Sequence, residues 1–179
     1  MNTDNEKIKT IINSLRKYNY EFYCYTLKDL KDDEFPIFWK LVDKKIKDSL
    51  LKNTPYILCQ NYKEYFKLWF NKEKINYRRC HLSLIKYCSD YFNIWWDINK
   101  IIFEDSFIDY IIKHLILYAN NYFDIWYNDF VEKYKNNFNI LREFYKTLYE
   151  NQSKIPLKNW VDDKHYKRYK IYKNLKKEE

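Results

Sequence analysis

One pattern returns three times along this chain: Tyr62-Lys-Glu-Tyr65-Phe66-Lys-Leu-Trp69, then Tyr87-Cys-Ser-Asp-Tyr91-Phe92-Asn-Ile-Trp95-Trp96, then Tyr118-Ala-Asn-Asn-Tyr122-Phe123-Asp-Ile-Trp126. Each block carries Tyr-Phe-x-x-Trp, and a looser fourth copy, Phe35-Pro-Ile-Phe38-Trp39, precedes them. Trp39, Trp69, Trp95 and Trp126 therefore recur at intervals of roughly thirty residues, a period that belongs to stacked supersecondary units. The spacing predicts an array of helix pairs.

The absence of glycine narrows the choice further. There is none in 179 residues, which excludes a P-loop or a dinucleotide fingerprint, both of which need glycine to let a backbone approach phosphate. Tight hairpins with positive φ are disfavoured for the same reason, and an all-β fold with them. Hydrophobic residues make up 46% of the chain, enough for a substantial core. The net charge of +8 favours polyanionic or acidic partners through long-range attraction.

Cys24, Cys59, Cys80 and Cys88 form no CxxC pair and no metal-ligand spacing, so they read as reduced thiols; no metal and no cofactor is expected. His81, His114 and His165 are too scattered for a ligand cluster. The N-terminus is polar and Ile111–Ala119, the longest apolar run, is interrupted by Lys113 and His114 and too short to span a bilayer. The expectation is an intracellular protein, cytoplasmic or nuclear, away from membranes.

Helical periodicity dominates. Ile8, Ile11, Ile12 and Leu15 form one stripe, and Phe22, Tyr25 and Leu30 suggest a second helix. Asp32-Asp33-Glu34-Phe35-Pro36 is a start signal for a helix running to about Leu51, which Asn53-Thr54-Pro55 ends. Further helices are expected near Asn61–Phe70, Asn76–Cys88, Tyr91–Ile102, Ser106–Ala119, Tyr122–Tyr134 and Phe138–Tyr149, with a capping box at Ser106. One helical domain over 1–151 is expected, followed by a basic helix or arm over 152–179. Asp97, Glu104, Asp105 and Asp109 read as carboxylates at helix starts. Trp95 and Trp96 are adjacent and cannot both face one core; packing of the second between successive repeats is the favoured reading, with binding of a partner or a base as the alternative.

The chemistry-bearing segment is Ile75-Asn-Tyr77-Arg78-Arg79-Cys80-His81-Leu82, where adjacent arginines open an apolar helix and offer guanidinium forks suited to phosphate. The bland alternative is a pair of structural arginines bridging neighbouring repeats. Taken with the preceding Tyr-Phe-Lys-Leu-Trp69, this stretch resembles the helix pair of the HEAT-like DNA alkylation repair glycosylases of the AlkD type. Ser106-Phe107-Ile108 through Tyr118 is similar to that family's following helix, and Phe38-Trp39-Lys-Leu-Val42-Asp43 resembles its Trp-Asp-x-Val-Asp element. The resemblance spans about residues 20–135. It implies an all-α HEAT-like α-solenoid of stacked antiparallel helix pairs, about eight to ten helices, holding duplex DNA in a basic groove.

Carried over, Asp43 is the catalytic carboxylate that stabilises an oxocarbenium-like sugar as an alkylpurine leaves, a role that suits a partly dry groove. Trp39 packs on the lesion, and Arg79 or Arg78 binds phosphate. His114 falls where the family has a second site tryptophan, Lys113 where it has a glycine, and Lys40 where it has an acidic residue. With these departures the resemblance implies either an alkylpurine glycosylase with a degraded site or a catalytically degenerate relative that keeps a basic groove. A weaker resemblance is to the PHIST helical domains, which bind acidic segments of partner proteins. A subunit of an RNA–protein assembly is a third reading.

Overall fold

The computed structural model describes residues 2–17, 20–101 and 107–155. The capping box at Ser106, the carboxylates Glu104 and Asp105, His165 and the basic segment from 156 onward lie outside the described residues. The chain is all-α: twelve α-helices joined by turns and 3-10 segments, with no strand among the described residues. It divides into two compact units, Met1–Tyr91 and Phe92–Glu179.

The first unit holds α1 (Asn2–Leu15), α2 (Tyr20–Asp29), α3 (Phe35–Leu41), α4 (Lys44–Asn53), α5 (Pro55–Asn61), α6 (Phe66–Trp69) and α7 (Tyr77–Tyr87). Helix α2 packs on α5, α5 on α7, and α3 on α6. The expected helix from Phe35 to Leu51 is two helices instead. Val42 turns extended (φ −68°, ψ 137°) and Asp43 starts the second as its N-cap. The expected break at Asn53-Thr54-Pro55 is present but costs only one residue of helix. Buried Thr54 donates its hydroxyl to the Leu50 carbonyl at 3.0 Å while Pro55 opens α5, where a missing N–H leaves nothing unsatisfied. Helix α5 is therefore one that the spacing of apolar residues did not predict.

The second unit holds α8 (Phe92–Trp95), α9 (Ile98–Ile101), α10 (Ile108–Tyr118), α11 (Phe123–Lys133) and α12 (Phe138–Glu150). Helix α10 packs on α12 and α9 on α11. Trp96 donates its indole N–H to Asp129 at 2.6 Å, and Lys133 reaches the Ile98 carbonyl at 3.1 Å. Phe144 of α12 stacks on Phe130 at 4.1 Å. Asn137 caps α12 by accepting from the Ile140 N–H at 3.2 Å.

The aromatic echo is a way of ending helices without glycine. A helix usually closes with a left-handed residue, most often glycine; no residue here adopts positive φ among those described. Instead Tyr62, Cys88 and Ala119 leave their helices near φ −120°, ψ 30° (−127°/34°, −118°/26° and −128°/30°), and a 3-10 turn follows. In the first and third copies the tryptophan at the end of the block then donates its indole N–H back to that exit carbonyl, Trp69 to Tyr62 at 2.7 Å and Trp126 to Ala119 at 3.0 Å.

The rings repeat in the same geometry. Phe66 meets Trp69 edge-on at 5.1 Å and 68°, Phe92 meets Trp95 at 5.0 Å and 67°, and Phe123 meets Trp126 at 4.8 Å and 69°. Tyr91 stacks on Phe66 at 4.5 Å, and Tyr122 on Phe92 at 4.5 Å, so in the second and third copies the tyrosine lies flat on the phenylalanine of the copy before. Offset and edge-to-face pairs of this kind add to the burial that holds the helices together.

Candidate functional site

In this register the fourth copy is shifted by one residue from the alignment of tryptophans. Phe35 takes the place of Phe66, with Phe38 at 6.4 Å and Trp39 at 5.6 Å in the places of Trp69 and Phe70. Trp39 is 5% exposed. Its ring lies against Phe35, and Lys47 Nζ lies 5.8 Å from its centroid. A side chain so covered has no face to lay on a nucleotide, so the lesion-contact role expected of Trp39 is corrected to a core role.

Asp43 is tied up on both carboxylate oxygens. Oδ1 accepts from the Ile46 N–H at 3.0 Å, the bond of an N-cap, and Oδ2 accepts from Arg16 Nε at 3.2 Å. The Ile46 amide first, and the Arg16 guanidinium after it, hold the carboxyl below its usual range against partial burial. Asp43 stays ionised, but its charge is already spent on a helix end and an arginine.

Arg79 lies at the far end of the same helix. Its guanidinium donates to the Asn53 carbonyl at 3.2 Å, closing the C-terminus of α4, where a cation is favoured. Ten residues of helix at 1.5 Å per residue put roughly 15 Å between that end and Asp43. Arg78 is exposed beside Arg79 in the first turn of α7. Lys113 and His114 belong to the other unit, on α10. Lys113 pairs with Asp109 at 3.3 Å, and His114 Nδ1 lies 2.9 Å from the Tyr110 carbonyl. Within the first unit, Trp39, Asp43, Arg78 and Arg79 are not gathered into one catalytic constellation.

The structure does assemble a basic elbow that the sequence reading did not single out. Between α3 and α4 the chain runs Lys40-Leu41-Val42-Asp43-Lys44-Lys45-Ile46-Lys47, with Lys40, Lys44 and Lys45 exposed and Lys47 half-buried. The two nearby carboxylates are occupied, Asp43 by Arg16 and Asp48 by Lys74 at 2.5 Å. Lys44 and Lys45 fill the first turn of α4, which holds no acidic residue of its own beyond the Asp43 cap that precedes it. The first turn of a helix is electropositive, so cations there work against the macrodipole. Arg78 and Arg79 do the same at α7.

The thiols converge more than their spacing suggested. The buried Cys59 of α5 has the thiols of Cys80 and Cys88 as hydrogen-bonding neighbours; burial pushes it well up, and the contact with Cys59, then burial, pushes Cys88 up. Protonated, enclosed thiols of this kind are inert. Among the described residues no group of His, Cys, Asp and Glu could hold a metal ion, and no helix is long and apolar enough to cross a membrane. In comparisons with known proteins the chain matches no family model, no curated protein and no solved structure.

Proposed function

We propose that this chain is a helical-repeat protein that binds a polyanion through the elbow between α3 and α4, duplex DNA being the partner that the sequence resemblance favours. One observation carries the reading: Lys40, Lys44 and Lys45 are exposed, have no ion pair among the described residues, and gather at the N-terminus of α4, where the one carboxylate, Asp43, is already engaged by Arg16 and the Ile46 amide. Such a concentration of charge disfavours the free protein and is relieved by phosphate. The alkylpurine glycosylase chemistry is not included, because Asp43 serves α4 and Arg16, and Trp39 is covered.

The test is titration of labelled duplex DNA at low salt with the full chain and with a Lys44→Glu/Lys45→Glu variant. The proposal expects tight binding by the former and at least about a tenfold loss in the latter, as two phosphate contacts become repulsive. No binding at low salt, or binding indifferent to the two reversals, overturns it. Displacement of the DNA by an acidic peptide at lower concentration than by competing DNA moves the partner to an acidic protein segment. Release of 7-methylguanine from methylated DNA, abolished by Asp43→Asn, would restore the catalytic reading.

A further inference from the structure

Helices α10 and α12 pack on each other in the second unit and leave between them a cleft of about 370 Å³. That volume fits a small molecule, since ligand sites run from about 300 to 1,000 Å³. Among the described residues its walls come from these two helices alone. Ile140, Glu143, Thr147 and Glu150 recur at helical spacing on one face of α12, and Ile108, Asp109 and Lys113 line the cleft from α10. Buried Ile108 and half-buried Ile140 make its apolar part.

One group in the cleft lacks a partner. Thr147 is 3% exposed and its carbonyl accepts from Asn151 Nδ2 at 2.9 Å, but its hydroxyl makes no hydrogen bond among the described residues. Buried hydroxyls are ordinarily satisfied, so this one points to a ligand. Charge says of which kind. Asp109, Glu143 and Glu150 set three carboxylates against the two ammonium groups of Lys113 and Lys146, on a chain whose net charge is +8. Lys113 is held by Asp109 at 3.3 Å and Lys146 by Glu143 at 3.4 Å, which leaves Glu150 with no ion pair among the described residues. Glu150 closes α12, whose last turn holds no basic residue. A helix C-terminus is electronegative, so an anion there is unfavourable and a bound cation relieves it.

We propose that this cleft binds a small aliphatic primary amine as its ammonium ion. The ammonium donates to the Glu150 carboxylate and to the Thr147 hydroxyl oxygen, and the alkyl chain lies on Ile108 and Ile140. Thr147 and Glu150 are three residues apart, near enough on a helix to share one ammonium. An ammonium group has three N–H donors and no acceptor, which matches a site that offers oxygens. The cleft is separate from the basic elbow, which belongs to the other unit and takes the opposite charge.

Isothermal titration of the full chain with n-butylamine at about pH 7, where the amine is charged, tests this. Saturable binding is expected, with none for tetramethylammonium, which carries the charge but no N–H donor. Glu150→Gln is expected to weaken binding by about tenfold or more, and Thr147→Val by about fivefold. The valine removes an orphaned hydroxyl, so the melting temperature of the free variant stays level or rises while its affinity falls. A residue that served only the fold would move both downward. No saturable binding, equal binding of tetramethylammonium, or an affinity unchanged in either variant overturns the proposal.

Discussion

Trp126 and Trp69 show what one indole contributes in a chain without glycine. Each N–H is a second donor to a buried helix-exit carbonyl that already accepts the N–H of Tyr122 or Tyr65 at 3.1 Å, Ala119 being 2% and Tyr62 1% exposed. Trp126→Phe keeps most of the ring and removes one of the two donors, so it should cost about 0.5–1.5 kcal/mol, read as a lowered denaturant midpoint. Glu34 makes a different demand. Its side chain is 6% exposed and accepts from Lys7 Nζ at 2.5 Å and from the Lys31 N–H at 2.9 Å. The Lys7 contact, then the Lys31 amide, hold its carboxyl below the ordinary value of 4.5. The folded state therefore binds fewer protons, and this contribution is full above 4.5 and lost as the pH falls through the lower folded value. Glu34→Gln should flatten the acid side of the stability–pH curve without changing its slope above neutrality. The recurrence of the aromatic residues was legible in the letters. The one-residue shift at Phe38 and Trp39 was not, because matching tryptophan to tryptophan ignores which ring follows the stacked phenylalanine at which offset.

At the scale of elements, Asp43 decides between two accounts of the same residue. As an N-cap it should be replaceable by asparagine, which caps as well, whereas Asp43→Ala should lose about 1 kcal/mol of stability. The expected pattern in thermal melts is Asn near the native value and Ala clearly below it. A catalytic carboxylate would be told apart by activity, with Asn stable yet inactive on a substrate that the native chain cleaves. Helix existence was readable from apolar periodicity for α1, α7, α10, α11 and α12. The division between α3 and α4 was hidden because Ile37, Phe38, Leu41, Val42 and Ile46 keep a helical period across the break, and an isolated aspartate is a weak start signal without a Glu or Gln three residues on. Pro55 reads as a stop in the sequence although it also suits a first helical position, and this conceals α5.

At the scale of the whole molecule, the charge of +8 suggests a polyanionic or acidic partner without saying where on the described residues it would bind. That place depends on which carboxylates are neutralised, and the pairs Arg16–Asp43 and Asp48–Lys74 join residues 27 and 26 positions apart, beyond any local pattern. The candidate residues were likewise dispersed by burial and by the length of α4, neither of which spacing along the chain conveys. The most direct test of polyanion binding at the elbow is the salt dependence of duplex binding, compared between the native chain and Lys44→Gln/Lys45→Gln. The account predicts that log K falls linearly with log salt and that the slope shrinks by about 2 in the variant, one released counterion for each lysine. Identical slopes for the two proteins, or no measurable binding at the lowest salt, would contradict it.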